Sequence, residues 1–290
     1  MKQLLILSGK GGTGKTTIAA AFIRLSEAKV YADCDVDAPN LHLVMHHPEE
    51  PKRTDYFGLP KAVIDMRQCD GCGLCSINCR FDAITAEPAY RVDAFACEGC
   101  GVCEAICPAG AIKMNPTPAG DLMLYTDSGE VFSTAQLKMG SGTSGKLVTE
   151  VKKQMREAAG AEELAVIDGS PGIGCPVIAS VSGVHLVLVV AEPSLSGISD
   201  MERIVKTTMT FRTKLAVCTN KYDVNTENSE RIEQFCGKNG LPFAGKIPFD
   251  PEAVRAVNGG KTIVDIDCAS GRAVRAVYEK VKEILFEKAV

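Results

Sequence analysis

The 290-residue chain has no basic excess: 32 lysines and arginines face 36 aspartates and glutamates, for a net charge of −4. That balance argues against a nucleic-acid-binding surface, which draws on a surplus of positive charge. A long hydrophobic run is also missing. The best, Val184–Ala191, is of strand length, well short of the roughly 18 residues that a membrane-spanning helix needs. The N-terminal MKQLLILSGKGG has one basic residue and an apolar run, but LLIL leads straight into glycines. It predicts a buried first strand rather than a secretory leader. These absences predict a cytoplasmic protein with neither a nucleic-acid nor a membrane partner. Cysteine, by contrast, is abundant, with 13 residues. Their spacing is not that of a secreted disulfide scaffold, so metal binding is the better account.

Apolar runs alternate with helix-length amphipathic segments. Strands are expected at Gln3–Leu7, Lys29–Ala32, Leu164–Ile167, Val184–Val190, Leu215–Thr219 and Phe243–Lys246. Helices are expected at Lys15–Ser26, Lys146–Ala159, Ser196–Thr210, Thr226–Lys238 and Arg272–Lys288. Continuous apolar strands separated by helices predict an α/β fold, a doubly wound and mostly parallel sheet covered on both faces. The alternation breaks between about Leu59 and Pro118, where CDGCGLCSINCRFDAI and CEGCGVCEAICPAGAI repeat at an interval of 28 residues. So compact a duplication predicts a small inserted α+β domain, residues 59–118, within a larger one made of 1–58 and 119–290. Residues 121–145 are the hardest to read; a hairpin around Asp127-Ser128-Gly129 and then a Gly/Ser-rich loop are expected. In the last helix Val274, Val277, Val281 and Leu285 form a stripe expected to pack on the core.

Gly9-Lys10-Gly11-Gly12-Thr13-Gly14-Lys15-Thr16 satisfies G-x-x-x-x-G-K-[ST] between an expected strand and an expected helix. In such a loop the backbone N–H groups converge on phosphate oxygens, and the helix N-terminus adds partial positive charge. Lys15 would bridge the terminal phosphates and the Thr16 hydroxyl would hold Mg²⁺. A second near-match, Gly140 to Lys146, has Leu147 in place of that hydroxyl and no clear preceding strand. It is expected to be a loop capping the next helix.

The early Lys10 makes KGGTGKT resemble the phosphate loop of the MinD/ParA/Mrp and nitrogenase-iron-protein group of ATPases. Four further stretches match in order. YADCDVDAP resembles the first switch, with Asp33 at a strand end and Asp35 where the family orients the attacking water. DGSPG resembles the second switch, with Asp168 near Mg²⁺. Asn220 falls where the family reads adenine, and Ile247–Asp250 resembles the segment closing that pocket. The resemblance implies ATP or ADP with Mg²⁺ as ligands, held by Gly11, Gly12, Thr13, Gly14, Lys15, Thr16, Thr17 and Asn220. It further implies slow hydrolysis by Lys10, Lys15 and Asp35, in a homodimer across which Lys10 reaches the partner's nucleotide.

Cys69, Cys72, Cys75 and Cys79 follow C-x2-C-x2-C-x3-C, and Cys97, Cys100, Cys103 and Cys107 repeat it. This is the spacing of bacterial ferredoxins with two [4Fe–4S] clusters, in which the fourth cysteine of each run serves the other cluster. The expected ligand sets are therefore Cys69, Cys72, Cys75 and Cys107 for one cluster, and Cys97, Cys100, Cys103 and Cys79 for the second. Zinc is the alternative for CxxC pairs, but two intact four-cysteine repeats favour iron–sulfur. Arg80 departs from the pattern, standing where Pro108 stands in the second repeat. Cys34, Cys218, Cys236 and Cys268 lack ligand spacing; Cys34 and Cys218, on or beside strands, are expected to be buried. His42, His46 and His47 are expected in a solvated loop.

Cys175 lies seven residues beyond Asp168, the offset at which the nitrogenase iron protein ligates a cluster shared across its dimer. The second bridging cysteine has no counterpart in LKMGSGTSGK. Cys175 is thus either a thiol packed at a helix start or a transient contact with a delivered metal or a partner's cluster. The whole chain resembles MinD-superfamily ATPases with an inserted ferredoxin domain. Two functions follow: ATP-gated electron transfer to a redox partner, or ATP-dependent assembly and delivery of an iron–sulfur or mixed-metal cluster. Positioning of cargo leaves the eight cluster cysteines without a role.

Overall fold

A computed structural model describes residues 1–287 apart from 87 and 128. The chain opens with β1 (Lys2–Ser8), α1 (Lys15–Ser26), β2 (Val30–Asp33) and β3 (Lys52–Phe57). A cysteine-rich stretch follows: β4 (Lys61–Ile64), α2 (Leu74–Ile77), β5 (Ile84–Thr85), β6 (Arg91–Val92), α3 (Val102–Ile106) and β7 (Ile112–Asn115). Next come β8 (Pro118–Tyr125), β9 (Val131–Leu137), α4 (Ser144–Ala158), β10 (Leu164–Asp168), α5 (Cys175–Val181), β11 (Leu186–Ala191) and α6 (Leu195–Met209). The chain ends with β12 (Lys214–Asn220), α7 (Thr226–Lys238), β13 (Phe243–Ile247), α8 (Pro251–Asn258) and α9 (Ala269–Phe286).

Nine strands form one sheet in the order β13-β12-β11-β1-β10-β2-β9-β8-β3. The pairings from β13 to β9 are parallel, whereas β8 runs antiparallel to both β9 and β3. Side chains alternate across the central strands because the pleat has a period of two. Leu4, Ile6, Tyr31, Val166 and Leu188 enter the core beneath α1 and α9. Leu5, Leu7, Ala32, Ile167 and Val189 enter the core beneath α4–α7. Both faces being covered explains why these strands are apolar throughout rather than alternating. Val274, Val277, Val281 and Leu285 of α9 are all buried. The Lys288 end expected for that helix, and the Ser128 tip expected for the β8–β9 hairpin, lie outside the described residues.

Two expectations change, and one strand lies where none was expected. The β3–β8 pairing extends the main sheet through a segment whose charged and mixed side chains hide its strand character. The helix after the Gly/Ser loop starts at Ser144 rather than Lys146, so Gly145 and Lys146 are helical. Thr143 precedes it at φ 79 with no side-chain cap, so the loop does not cap the helix; Thr143 Oγ1 instead lies 3.1 Å from the Tyr56 hydroxyl. His47 is not solvated. Its side chain is 3% exposed, stacks on Phe132 and lies 3.0 Å from Asp127 Oδ1. Aromatic neighbours contributed by β2, β8 and β9 bury it, which loop composition alone does not reveal.

β4 pairs with β7, and β5 with β6, in two small sheets separate from the large one. Their common core is thin, with Ala62, Ala83, Cys97 and Ile112 buried and other cysteines packed against them.

Candidate functional site: the carboxyl edge of the sheet and the cysteine cavities

Parallel register brings the carboxyl ends of several strands together: Ile6 pairs with Asp168, and Asp168 with Asp33. The order reverses about β1, which has β10 on one side and β11 on the other, and a crevice at such a reversal is where open α/β sheets bind ligands. The loop after β1 opens into α1. Gly14 sits at φ 89, and a β-carbon there would lie 2.4 Å from Asn220 Nδ2. Only glycine lets Asn220 approach and donate to the Thr13 carbonyl at 2.7 Å.

Lys15, 6% exposed, places its ammonium 2.6 Å from Oδ1 of the fully buried Asp168. The Thr16 hydroxyl donates to Asp168 Oδ2 at 2.7 Å and lies 3.1 Å from Asn40 Oδ1. Asp33 accepts from the backbone N–H groups of Asp35, Asn40 and Leu41 at 2.9–3.0 Å. It therefore shapes the loop that carries Asp35. Burial pushes the half-buried Asp35 carboxyl up; Lys15 opposes this, while Asp168 and Asp37 add to it. Lys10 points the other way along the edge, with Nζ 2.9 Å from Glu192 Oε2 and 3.2 Å from Ser194 Oγ. A cavity of about 260 Å³ opens beside the loop, bounded by Gly12, Gly14, Thr17, Asn220, Ile247 and Phe249. The backbone of its Ile247–Asp250 rim is held by Asp223, which accepts from Phe249 N–H at 2.7 Å.

Sequence patterns did not single out Asn40, Glu192, Ser194 or Lys221, because each is an isolated polar residue in a loop or cap. Lys152 escaped notice for the opposite reason, sitting inside an ordinary amphipathic helix. It is 2% exposed and donates to the carbonyls of Ala179, Ser180 and Ser182, satisfying the end of α5. Burial pulls its ammonium pKa down to about 8.

The eight repeat cysteines fall into two groups. Cys69, Cys72, Cys75 and Cys107 line one depression walled by Ile64 and Ile112. Cys79, Cys97, Cys100 and Cys103 line another walled by Phe81 and Ile84. Each depression gathers three cysteines of one repeat and the last of the other. Among the described residues no three His, Cys, Asp or Glu side chains converge as a single-ion site requires. A cubane cluster makes a different demand, one thiolate at each of four separate irons, and each depression presents four thiols. Cys34, Cys218, Cys236 and Cys268 are buried elsewhere, and burial raises the Cys34 and Cys218 thiols to about 12. Cys175 is exposed at the start of α5.

The CobQ/CobB/MinD/ParA nucleotide binding domain matches residues 4–263. The chain belongs to that family. It is a P-loop ATPase of the MinD/ParA kind. This ATPase is 32% identical to an uncharacterized protein of Methanocaldococcus jannaschii over 98% of its own length and 97% of the relative's. An uncharacterized ATP-binding protein of the same organism is 25% identical over 96% of this chain and 86% of its own. Among solved structures, the septum site-determining protein MinD complexed with Mg-ADP from Pyrococcus horikoshii superposes with a TM-score of 0.59 at 17% identity. That alignment covers 99% of this chain and 98% of the other, so the folds agree. Among the described residues no helix is long and apolar enough to cross a membrane.

The ATPase holds two carboxylates, Asp33 and Asp168, fully buried side by side. Burial, then the Asp168 charge, push the Asp33 carboxyl up to about 7, against the pull of Lys15 and two backbone N–H groups. A folded-state pKa above the unfolded value penalises folding as the carboxyl ionises. The penalty is absent below the unfolded pKa of about 4 and grows as pH rises towards 7. The nucleotide-free ATPase is therefore expected to lose stability relative to Asp33→Asn between pH 5 and pH 8. Denaturant midpoints of the two proteins at both pH values measure this, and parallel pH dependence in both would refute it.

Proposed function

We propose that this ATPase binds and hydrolyses ATP and couples its nucleotide state to electron transfer through two [4Fe–4S] clusters. Residues 59–118 form the inserted ferredoxin-like domain, and 1–58 with 119–290 form the ATPase domain. The observation that carries this reading is the sorting of eight cysteines into two four-thiol depressions on a chain that also bears a complete phosphate loop. Cys69, Cys72, Cys75 and Cys107 would hold one cluster, and Cys79, Cys97, Cys100 and Cys103 the other. Bound there, the clusters supply one-electron redox chemistry.

The amides from Gly11 to Thr17 receive the phosphates, and Lys15 exchanges Asp168 for them. Thr16 and Asp168, already hydrogen-bonded to each other, hold Mg²⁺. Asp35 orients the attacking water, and its raised pKa favours accepting a proton from it. Asn220 reads the adenine, and two chains associate when ATP is bound. Loss of the γ-phosphate frees both switch loops. A route from the second switch to the cysteines follows the loop before α4. A β-carbon on Gly145 would lie 3.0 Å from the Cys175 carbonyl. At the other end of the loop, one on Gly140 would lie 3.0 Å from Phe95, and one on Gly142 3.4 Å from Glu98 Oε2, next to Cys97.

Exposure of the Cys175 thiol beside this same loop favours a second reading, in which ATP controls delivery of a metal cluster. Anaerobic reduction, addition of ATP or a non-hydrolysable analogue, and cluster EPR in the presence of acceptor proteins separate the two. Electron loss that depends on nucleotide is expected. Iron transfer to an apo-protein, abolished by Cys175→Ser, would replace gating with delivery. Reconstituted protein that shows no cluster signal would overturn both.

A further inference from the structure

One carboxylate serves two ammonium groups at the nucleotide site. Glu192 follows β11, with Oε2 2.9 Å from Lys10 Nζ and Oε1 3.2 Å from Lys221 Nζ. Lys221 also donates to the Gly12 carbonyl at 3.0 Å. It does so from φ 55, a left-handed conformation that residues with a β-carbon hold only under constraint. Ser194, the other partner of Lys10, is fixed as the N-cap of α6 by Gly197 N–H at 3.1 Å. Lys15 has its own carboxylate in Asp168. Lys10, Lys15 and Lys221 are thus all neutralised from within the protomer, at the place where phosphates bring negative charge.

The two kinds of pairing differ in how easily they part. Lys15 and Asp168 are 6% and 0% exposed, whereas Lys10 and Glu192 are 37% and 22% exposed. Water can solvate the second pair as it separates, so its cost of breaking is that of a surface contact. Burial pushes the Glu192 carboxyl up, but hydrogen bonds and charge from Lys10 and Lys221 outweigh it and hold the group below the usual range. Glu192 is therefore an anion at neutral pH. A carboxylate and a polyphosphate cannot both hold Lys10 without repelling each other.

We propose that Glu192 is a positioning residue acting as an internal counter-anion. It parks Lys10 on the Ser194 cap in the nucleotide-free protomer and yields it to nucleotide phosphates, in its own protomer or in its partner. Glu192 thereby sets nucleotide affinity without touching the nucleotide.

Glu192→Gln keeps the size and a hydrogen-bond acceptor and removes the charge. Titration of the whole protein with a fluorescent ATP analogue is expected to show binding about two- to fivefold tighter, the range for breaking a partly exposed ion pair. The matching ATPase change sits in KM rather than kcat. Glu192→Asp, which keeps the charge, stays near the wild-type affinity. The gain survives in a Lys221→Ala background and vanishes in Lys10→Ala, a coupling that a mere folding defect does not produce. Unchanged or weaker binding in Glu192→Gln overturns the proposal, as does a gain that persists once Lys10 is alanine.

Discussion

On the proposed two-cluster reading, Cys103→Ser is expected to lower the iron of the reconstituted chain from about eight to about four atoms, because one site loses a thiolate while the other keeps all of its ligands. Cys103 lines the depression that also contains Cys79, Cys97 and Cys100. Cys79→Ser, although its residue belongs to the first sequence repeat, should therefore remove the same EPR signal as Cys103→Ser. Cys75→Ser should remove the other. If Cys79→Ser instead matched Cys75→Ser, each repeat would be holding its own cluster and the crossed arrangement would be wrong. Full iron retention in all three variants would rule out these cysteines as the ligands, and wild-type protein that takes up no iron would end the iron–sulfur reading.

A secondary effect follows from how little else holds that region together. Few side chains are buried there among the described residues, Cys97 one of them, and a segment of this size needs cross-links or metals to supplement such a core. Loss of a cluster is expected to make residues 59–118 the first site of limited proteolysis while nucleotide binding persists.

The second large effect is at Lys15. Lys15→Met removes the ammonium from a position 2.6 Å from a carboxylate that is wholly inaccessible to water. Breaking a buried pair from one side costs about 3–5 kcal/mol, since the surviving charge stays desolvated. Asp33, paired with Asp168 across the β2–β10 register, is pushed further toward its neutral form once Lys15 no longer opposes the Asp168 charge. ATP hydrolysis should fall by at least about 10²–10³-fold, the scale for deleting one preorganised electrostatic contact. The nucleotide-free variant should unfold at lower denaturant than wild type, and Lys15→Met/Asp168→Asn should recover part of the difference. Unaltered stability of Lys15→Met would show that the pair contributes nothing to the resting fold. Both measurements belong at fixed iron content, because bound cofactors break two-state unfolding.

Much of this was readable in one dimension because the chemistry is local. A phosphate loop needs consecutive backbone amides, so glycine and lysine spacing alone locates it. Three of the four thiols that line each depression come from one short turn, so C-x2-C-x2-C is equally self-contained. Parallel strands buried on both faces must be apolar throughout, which placed six strands of the large sheet within a residue or two. β3 failed this test because it is an edge strand, where KRTDYF carries mostly exposed side chains.

The tertiary structure decided which distant groups meet. Glu192 and Lys10 are 182 positions apart, and neither belongs to a motif that predicts the other. They meet because parallel crossovers return β1 and β11 side by side and leave both loops at one edge. His47 turned from loop residue to buried aromatic partner for the same reason, through strands far along the chain. Whether Cys175 packs or stays open was undecided by its spacing; the fold leaves it exposed at the start of α5 with Gly145 as its neighbour. The sequence alone determined the chemistry available, phosphate-binding amides and two thiol quartets, because covalent spacing enforces it. Which charges neutralise one another before a nucleotide arrives was decided only by folding, because ion pairing depends on distance through space and on exclusion of water.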